Sequence, residues 1–105
     1  MKITEIKTAE VPIIADARRR YLYHYVRIYT DQGIYGTGEA SHVDGGWRGS
    51  TQTMAQQLIG QDPRDVDACF EGIRRSYIFR GGMAGLGISA LTGLEIALWD
   101  LAGKA

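Results

Sequence analysis

The sequence is poor in cysteine, in net charge and in long apolar runs, and each of these shortages excludes a class of protein. Its 105 residues contain one cysteine, Cys69, so no internal disulfide can form and a reducing cytoplasmic location is expected. Twelve basic and twelve acidic residues cancel, which leaves no overall field to attract nucleic acid or an anionic membrane. There is no run of about 20 apolar residues, and the N-terminus lacks the apolar core of a signal peptide. We therefore expect neither nucleic acid nor a membrane as a partner.

The chain is also short and poor in proline. A length of 105 residues predicts a single domain spanning 1–105. A (β/α)₈ barrel needs about 250 residues, so this chain cannot contain one. Fourteen glycines stand against two prolines, and the glycines cluster between short periodic segments, which is typical of turns and loops.

Three segments rich in β-branched and aromatic residues predict strands over 2–12, 21–30 and 34–39. The first alternates imperfectly, because Ile3 would share a face with Ala9 and Val11 while Ile6 would fall on the other. Residues 15–20 are polar and basic, which predicts a loop. The short turn at Asp31 joins the second and third strands into a hairpin, so the sheet is at least partly antiparallel.

Two glycines of the third strand, Gly36 and Gly38, fall on the same face as Ile34. Two same-face positions without a side chain predict that something lies close against the strand. A packed helix is favoured over a ligand.

Three helices are predicted after the sheet. The first covers 52–59, with Ser50 or Thr51 as its cap and Gly60 as its stop. The second begins at Asp62-Pro63, where Asp caps and Pro occupies the first position, and ends near residue 75. A loop follows over 76–82, and the third helix covers 83–102. Three strands followed by three helices indicate an α+β fold, a three-stranded antiparallel sheet followed by a helical bundle.

The third helix is apolar over much of its circumference. Its broad stripe consists of Leu86, Ala90, Leu91, Leu94, Ala97, Leu98 and Leu101. Ile88, Ile96 and Trp99 fall largely off that stripe, so the helix should lie between two layers. An independent binding module would hide Leu94, Leu98, Leu101 and Trp99 inside itself, whereas the severed part of a larger protein would leave apolar helix surface bare. We expect the second arrangement.

Few residues indicate chemistry by themselves. His24 lies in a strand, where a packed histidine is favoured over a catalytic one, and His42 lies in a loop, which suits function better. Glu95 and Asp100 are about 140° apart around the last helix and do not form a metal-binding pair. The three arginines at 18–20 are most simply solvated, although such a loop could also hold a carboxylate ligand bidentately.

The closing segment ALTGLEIALWDLAGK, at 90–104, resembles the end of the N-terminal region of the mandelate racemase/muconate lactonizing enzyme group in the enolase superfamily. The opening strand MKITEIKTAEVP, the segment TDQGIYGTGEA and the helix break QLIGQDP agree in order. The segment from 79 to 105 is most similar to the sugar-acid dehydratases of that group.

This resemblance implies an enolase-like N-terminal capping domain that ends at the junction to a C-terminal barrel absent from this chain. It implies magnesium as the cofactor of the complete enzyme and proton abstraction next to a carboxylate, through an enediolate, by a lysine or histidine base. Those residues belong to the barrel, so no catalytic residue and no metal ligand is assigned here. The chain alone should be inactive.

The resemblance does imply substrate contacts in two cap loops, 15–21 and 41–49, that close over the barrel mouth. The candidate substrate-binding residues are Arg18, Arg20, Tyr21, His42, Trp47 and, just before the last helix, Arg80. The implied partners are a hydroxy acid or sugar acid, the barrel domain and further copies in a homo-oligomer. A sugar-acid dehydratase is the function favoured; a racemase or cycloisomerase of the same group and a non-catalytic α+β binding module are the alternatives.

Overall fold

A computed structural model describes residues 1–16, 19–40, 47–81 and 86–105 of the chain. The elements in chain order are β1 (Ile3–Asp16), β2 (Arg19–Thr30), β3 (Tyr35–Ala40), α1 (Trp47–Ala55), α2 (Val66–Gly81) and α3 (Leu86–Lys104). The strands form one antiparallel sheet in the order β1-β2-β3, and the helices pack on one of its faces. The predicted α+β architecture is confirmed.

The loop predicted over 15–20 was wrong at 15–16 and 19–20, while residues 17 and 18 lie outside the described residues. Ile14 pairs with Arg20 and Asp16 pairs with Arg19, so β1 and β2 form one long hairpin whose strands extend beyond the predicted limits. Cross-strand backbone hydrogen bonds stabilise a ribbon whatever the polarity of its side chains, and composition therefore misled here. Pro12 is tolerated because β1 is an edge strand.

A β-bulge explains the imperfect alternation of β1. Ile3 pairs with Thr30 and Glu5 with Tyr29, so Thr4 is an extra residue on β1. The bulge reverses the parity of the strand and places Ile3 on the same face as Ile6. Ile3 is 1% exposed in the core, and Ile6 packs against the core.

The first helix was predicted too late in the chain. It begins at Trp47 and ends at Ala55, and turns continue to Gly60, whose φ of +86° confirms the left-handed stop. Met54 and Leu58 are fully buried, whereas Ile59 is 46% exposed. The tighter turns rotate Ile59 outward, because the amide of Leu58 bonds to the carbonyl of Ala55, three residues back, at 3.0 Å.

The second helix begins three residues later than predicted. Asp65, not Asp62, caps it, because its Oδ1 accepts the amide hydrogen of Ala68 at 3.3 Å. Asp62 instead accepts the amide of Arg64 at 3.0 Å and pairs with the Arg64 guanidinium at 2.7 Å. These bonds hold the pKa of the Asp62 carboxyl well below its usual range. The helix then continues to Gly81, so the loop predicted over 76–82 was wrong over 76–81.

The apolar stripe of α3 forms the centre of the core. Its described members, which are at most 4% exposed, are Ala90, Leu91, Leu94, Ala97, Leu98 and Leu101. Ile96 and Trp99, predicted off the stripe, are 45% and 55% exposed. Leu94, Leu98 and Leu101 are therefore buried, as expected of an independent module. Trp99 is exposed beside Ile96, as expected of one part of a larger protein.

The close contact predicted at Gly36 and Gly38 is a packed helix. A Cβ added at Gly36 would overlap the carbonyl oxygen of Ala97, and one at Gly38 would overlap the carbonyl oxygen of Gly93. The backbones of β3 and α3 therefore touch without an intervening side chain. No side chain larger than hydrogen fits at either position.

Polar contacts hold the C-terminal end of α3 to the same strand. The amide of Thr37 donates to Asp100 Oδ2 at 2.9 Å, and Lys104 Nζ lies 3.2 Å from that atom. Lys104 Nζ also donates to the carbonyl of Tyr35 at 2.9 Å. The Thr37 bond, followed by Lys104, lowers the pKa of the Asp100 carboxyl. Asp100 therefore has a structural role, in agreement with its exclusion from a carboxylate pair with Glu95.

We expect Gly38→Ala to destabilise the domain by about 1–3 kcal/mol or more, because the added methyl meets backbone atoms that cannot rotate away. Urea unfolding followed by circular dichroism measures the change. Gly72→Ala is the matched control, since a Cβ at this exposed position in α2 meets nothing within 4 Å. It should stabilise the helix by up to about 1 kcal/mol. Equal stability of Gly38→Ala and the unmodified chain would contradict the close packing.

Candidate functional site: the hairpin end of the sheet

The sheet has two unlike ends. β2 pairs with β3 only from Tyr29–Tyr35 to His24–Ala40, whereas β1 and β2 remain paired as far as Asp16–Arg19. Beyond Ala40 the described sheet is thus a two-stranded ribbon. We call the part of the domain around this ribbon, residues 12–16 and 19–22, the hairpin end.

The helices bring three further chain segments to the hairpin end. The turn after α1 bonds to Ile3 at the opposite end, with Gly60 donating to the Ile3 carbonyl at 2.8 Å, so α1 starts at the hairpin end. Leu101 lies over Gly36 and Gly93 lies against Gly38, so the first residues of α3 also point there. Four residues separate the end of α2 at Gly81 from the start of α3 at Leu86, so the end of α2 lies nearby as well.

The backbone therefore gathers most of the predicted substrate-binding residues at one end. Arg20 and Tyr21 lie in the ribbon part of β2, Trp47 is the first residue of α1, and Arg80 is the penultimate residue of α2. Arg18 and His42 lie outside the described residues. The function of all six side chains stays a prediction.

A buried histidine lies in the last three-stranded rung before the ribbon, which is the last row of residues in which β1, β2 and β3 are all paired. His24 is 2% exposed, and it is paired with Glu10 on β1 and Ala40 on β3. Its Nδ1 lies 3.7 Å from Glu10 Oε1, so protonated His24 would form an ion pair with that carboxylate. The packed position predicted for His24 is confirmed.

Sequence reasoning missed Glu10 as the neighbour of His24. The missed signal is the bulge at Thr4, because only the reversed parity places Glu10 on the inner face of β1. The Glu10 side chain is 39% exposed, so this carboxylate reaches both the core histidine and solvent. The pair lies at the border between the core and the hairpin end.

The described residues offer no metal site and no reactive thiol. No group of three His, Cys, Asp or Glu side chains that could hold a metal ion occurs within 1–16, 19–40, 47–81 and 86–105. Cys69 is 1% exposed, and burial raises the pKa of its thiol. None of the helices in these ranges is both long enough and apolar enough for a membrane span.

The geometry agrees with what sequence comparison finds. The profile of one protein family, described as the N-terminal domain of mandelate racemase and muconate lactonizing enzyme, matches residues 3–105. The chain belongs to this family. Among curated relatives of this mandelate racemase/muconate lactonizing enzyme domain is the D-xylonate dehydratase of Haloferax volcanii, 38% identical over 103 residues. The D-galactonate dehydratase of Verminephrobacter eiseniae is 36% identical over 108 residues.

These relatives are much longer than the present chain. The match covers 98% of this chain and 23% of the D-xylonate dehydratase, and 100% of this chain and 25% of the D-galactonate dehydratase. The chain thus spans about a quarter of the length of both relatives.

Solved structures confirm the fold as that of an enolase-superfamily capping domain. A mandelate racemase/muconate lactonizing enzyme-like protein from Rubrobacter xylanophilus is 40% identical with a TM-score of 0.82 over 98% of this chain and 25% of its own. A family structure from Roseovarius nubinhibens, complexed with magnesium, is 28% identical with a TM-score of 0.81 over 99% of this chain and 29% of its own. The 3,6-anhydro-D-galactonate cycloisomerase of Zobellia galactanivorans shares the fold at 21% identity, with a TM-score of 0.89 over 99% of this chain and 29% of its own.

The gathering of segments at the hairpin end can be measured with spin labels on introduced cysteines. The pair Arg20→Cys/Trp47→Cys should give a shorter distance than Gln32→Cys/Trp47→Cys, because Gln32 lies in the turn at the opposite end of β2. Twelve residues of strand separate positions 20 and 32, which corresponds to about 40 Å. The native Cys69 is buried and should stay unlabelled. A longer distance for the Arg20 pair, by double electron–electron resonance, would refute the proposed convergence.

Proposed function

We propose that residues 1–105 form the substrate-specificity cap of a larger magnesium-dependent sugar-acid dehydratase. One observation carries the proposal: nearly the whole chain matches an N-terminal domain, at 38% identity to a D-xylonate dehydratase of which it spans 23%. In this proposal the remaining length holds a C-terminal barrel with the base and the metal ligands. The described residues do not fit a magnesium ion, and we derive no step through it.

The reaction that such an enzyme performs explains why it needs a cap. Removing the proton next to a carboxylate develops charge on the carboxylate oxygens, and departure of the β-hydroxyl with a second proton completes the loss of water. The resulting enol becomes a 2-oxo-3-deoxy acid. A cap holds the polyhydroxy chain in one orientation and excludes bulk water while the enediolate exists.

The hairpin end suits that task. The ribbon carries Arg20 and Tyr21, and α1 presents Trp47 at its first residue. Guanidinium groups bind carboxylate and hydroxyl oxygens through fixed donor pairs, and aromatic rings cover the apolar faces of a sugar chain. Arg18 and His42 belong to the adjoining connections, and Arg80 to the end of α2. We assign all six to contacts with the distal part of the substrate.

The exposed side of α3 suits the contact with the barrel. Ile96 and Trp99 lie one turn apart on that helix and are about half exposed. A large aromatic and a large aliphatic side chain side by side in solvent are typical of a protein interface. We propose that the barrel covers them and that the complete enzyme assembles into a homo-oligomer.

Two other functions have support. A racemase or cycloisomerase would share the enediolate and differ only in its fate, and the likeness to the Zobellia cycloisomerase shows the common fold alone. A non-catalytic binding module is favoured by the complete burial of Leu94, Leu98 and Leu101 inside the described domain. A dehydratase product is lighter than its substrate by one water, whereas the product of a racemase or cycloisomerase has unchanged mass. A binding module would show no turnover even in the complete protein.

We expect the complete protein encoded with these residues to convert D-xylonate or D-galactonate with loss of one water when magnesium is supplied. The 105-residue chain alone should convert neither, because no base or metal set occurs in its described part. Mass spectrometry of the products decides the outcome. A product of unchanged mass would indicate a racemase or cycloisomerase, and turnover by the short chain would overturn our placement of the chemistry.

We expect Trp47→Ala in the complete protein to lower kcat/KM at least about 10- to 200-fold for the preferred sugar acid, the range for one missing methylene in a pocket. The loss should differ between sugar acids of different length, because the contact is to the distal part. Ile59→Ala is the control: it truncates an apolar side chain that is 46% exposed, at the end of the domain away from the hairpin. Unchanged kcat/KM across the sugar acids would remove Trp47 from the specificity surface.

A further inference from the structure

The face of the sheet turned away from the helices has an unusual composition. The cross-strand pairing places these residues on it: Glu5, Lys7, Ala9 and Val11 from β1, Tyr23, Tyr25, Arg27 and Tyr29 from β2, and Tyr35, Thr37 and Glu39 from β3. We call it the outer face. It carries four tyrosines around two basic residues, and the function proposed above uses none of them.

The two basic residues lie side by side at the centre of this face. Lys7 on β1 pairs directly with Arg27 on β2. Like charges at directly opposite positions destabilise an antiparallel pair. An oppositely charged or neutral residue at either position would make the sheet more stable. The stability of the fold therefore does not explain the like-charged pair.

Aromatic rings hold both cations without neutralising them. Lys7 Nζ lies 5.5 Å from the ring centroid of Tyr29, and Arg27 Cζ lies 4.6 Å from that of Tyr35. A tyrosine ring attracts a cation through its quadrupole but carries no net charge at neutral pH. The positions of the two groups are therefore restricted while their positive charge persists.

The two carboxylates of the outer face, Glu5 and Glu39, equal the two cations in number, but they pair with them only weakly. Glu5 Oε1 lies 3.8 Å from Lys7 Nζ, with both side chains about 60% exposed, and such pairs contribute little in water. Within the described ranges no carboxylate forms an ion pair with Arg27. An anion in front of the two cations would supply Arg27 with the ion pair that it lacks.

A groove of about 460 Å³ lies over the pair. Its lining includes Lys7, Arg27, Tyr25, Tyr29, Ala9 and Thr37. The tyrosines stand on either side of Arg27 along β2, and the short side chains of Ala9 and Thr37 leave room between them. This volume is within the range of sites for small molecules, roughly 300–1,000 Å³.

We propose that the outer face binds a small organic anion. Its carboxylate or phosphate group binds between Lys7 and Arg27, and its carbon skeleton lies against Tyr25 and Tyr29. A second copy of the chain fits less well. Three strands about 4.8 Å apart and four residue pairs long offer roughly 400 Å², about half of the ~800 Å² that each partner buries in a standard interface.

Titration calorimetry of the complete protein with benzoate and with inorganic phosphate tests the site. Both anions should bind the unmodified protein, benzoate more tightly because its ring contacts the tyrosines, and both should weaken as salt is raised. The variants Lys7→Gln and Arg27→Gln should each lower the affinity about tenfold or more. Arg75→Gln removes a charge that is 81% exposed on α2, away from the groove, and should change nothing.

Circular dichroism shows whether each variant folds. If Arg27→Gln does not fold, the affinity of Lys7→Gln for the two anions tests the proposal alone. Binding that is absent in the unmodified protein, or equally strong in all variants, would overturn the proposal. Self-association in sedimentation experiments that both groove variants abolish would overturn it too, because the face would then bind a second copy.

Discussion

The contact between the backbones of β3 and α3 is the constraint on which the rest of the domain depends. Gly36 and Gly38 have no room for a Cβ, and a Cβ at Gly93 would lie 3.4 Å from that of Ala40. Such close approach fixes how far the helix can slide along the strand, because each carbonyl of α3 fits over one glycine. The stripe of α3 then reaches the sheet and the other two helices, and Asp100 comes within hydrogen-bond distance of Thr37. The same register decides that the N-terminal end of α3 lies beside the ribbon.

The parts of this fold that repeat regularly could be predicted from the sequence, and the parts determined by distant pairing could not. The stripe of α3, the hairpin around Asp31 and the helix over Gly36 and Gly38 all follow from spacing and side-chain size. The ribbon at 12–16 and 19–22 could not be predicted in full, because its strands are joined by cross-strand bonds that no local pattern reveals. The bulge at Thr4 is visible only once Ile3 is paired with Thr30. For the candidate site, likeness to a family supplied the residues, whereas only topology showed that Arg20, Tyr21, Trp47 and Arg80 approach one end.

The residues that stabilise the fold and the residues proposed to contact substrate lie in different parts of the domain. The core lies between the inner face of the sheet and α3, and among the residues whose burial is described its buried groups are apolar apart from His24, Thr30 and Thr51. The described segments proposed to touch substrate lie past the last three-stranded rung. Substitutions at the hairpin end therefore fall outside the three-stranded part of the sheet, which agrees with relatives that are named for different sugar acids.

The length of the ribbon has a consequence for how such enzymes diverge. Past the rung of Glu10, His24 and Ala40, each added residue pair lengthens the hairpin by about 3.3 Å, the rise of one strand residue, and adds to the cross-strand hydrogen bonds. Adding or removing two pairs keeps the residues beyond that point on their original faces, and it alters neither the glycine contact nor the stripe of α3. Under the function proposed above, the length of the ribbon sets how long a substrate chain fits beneath it.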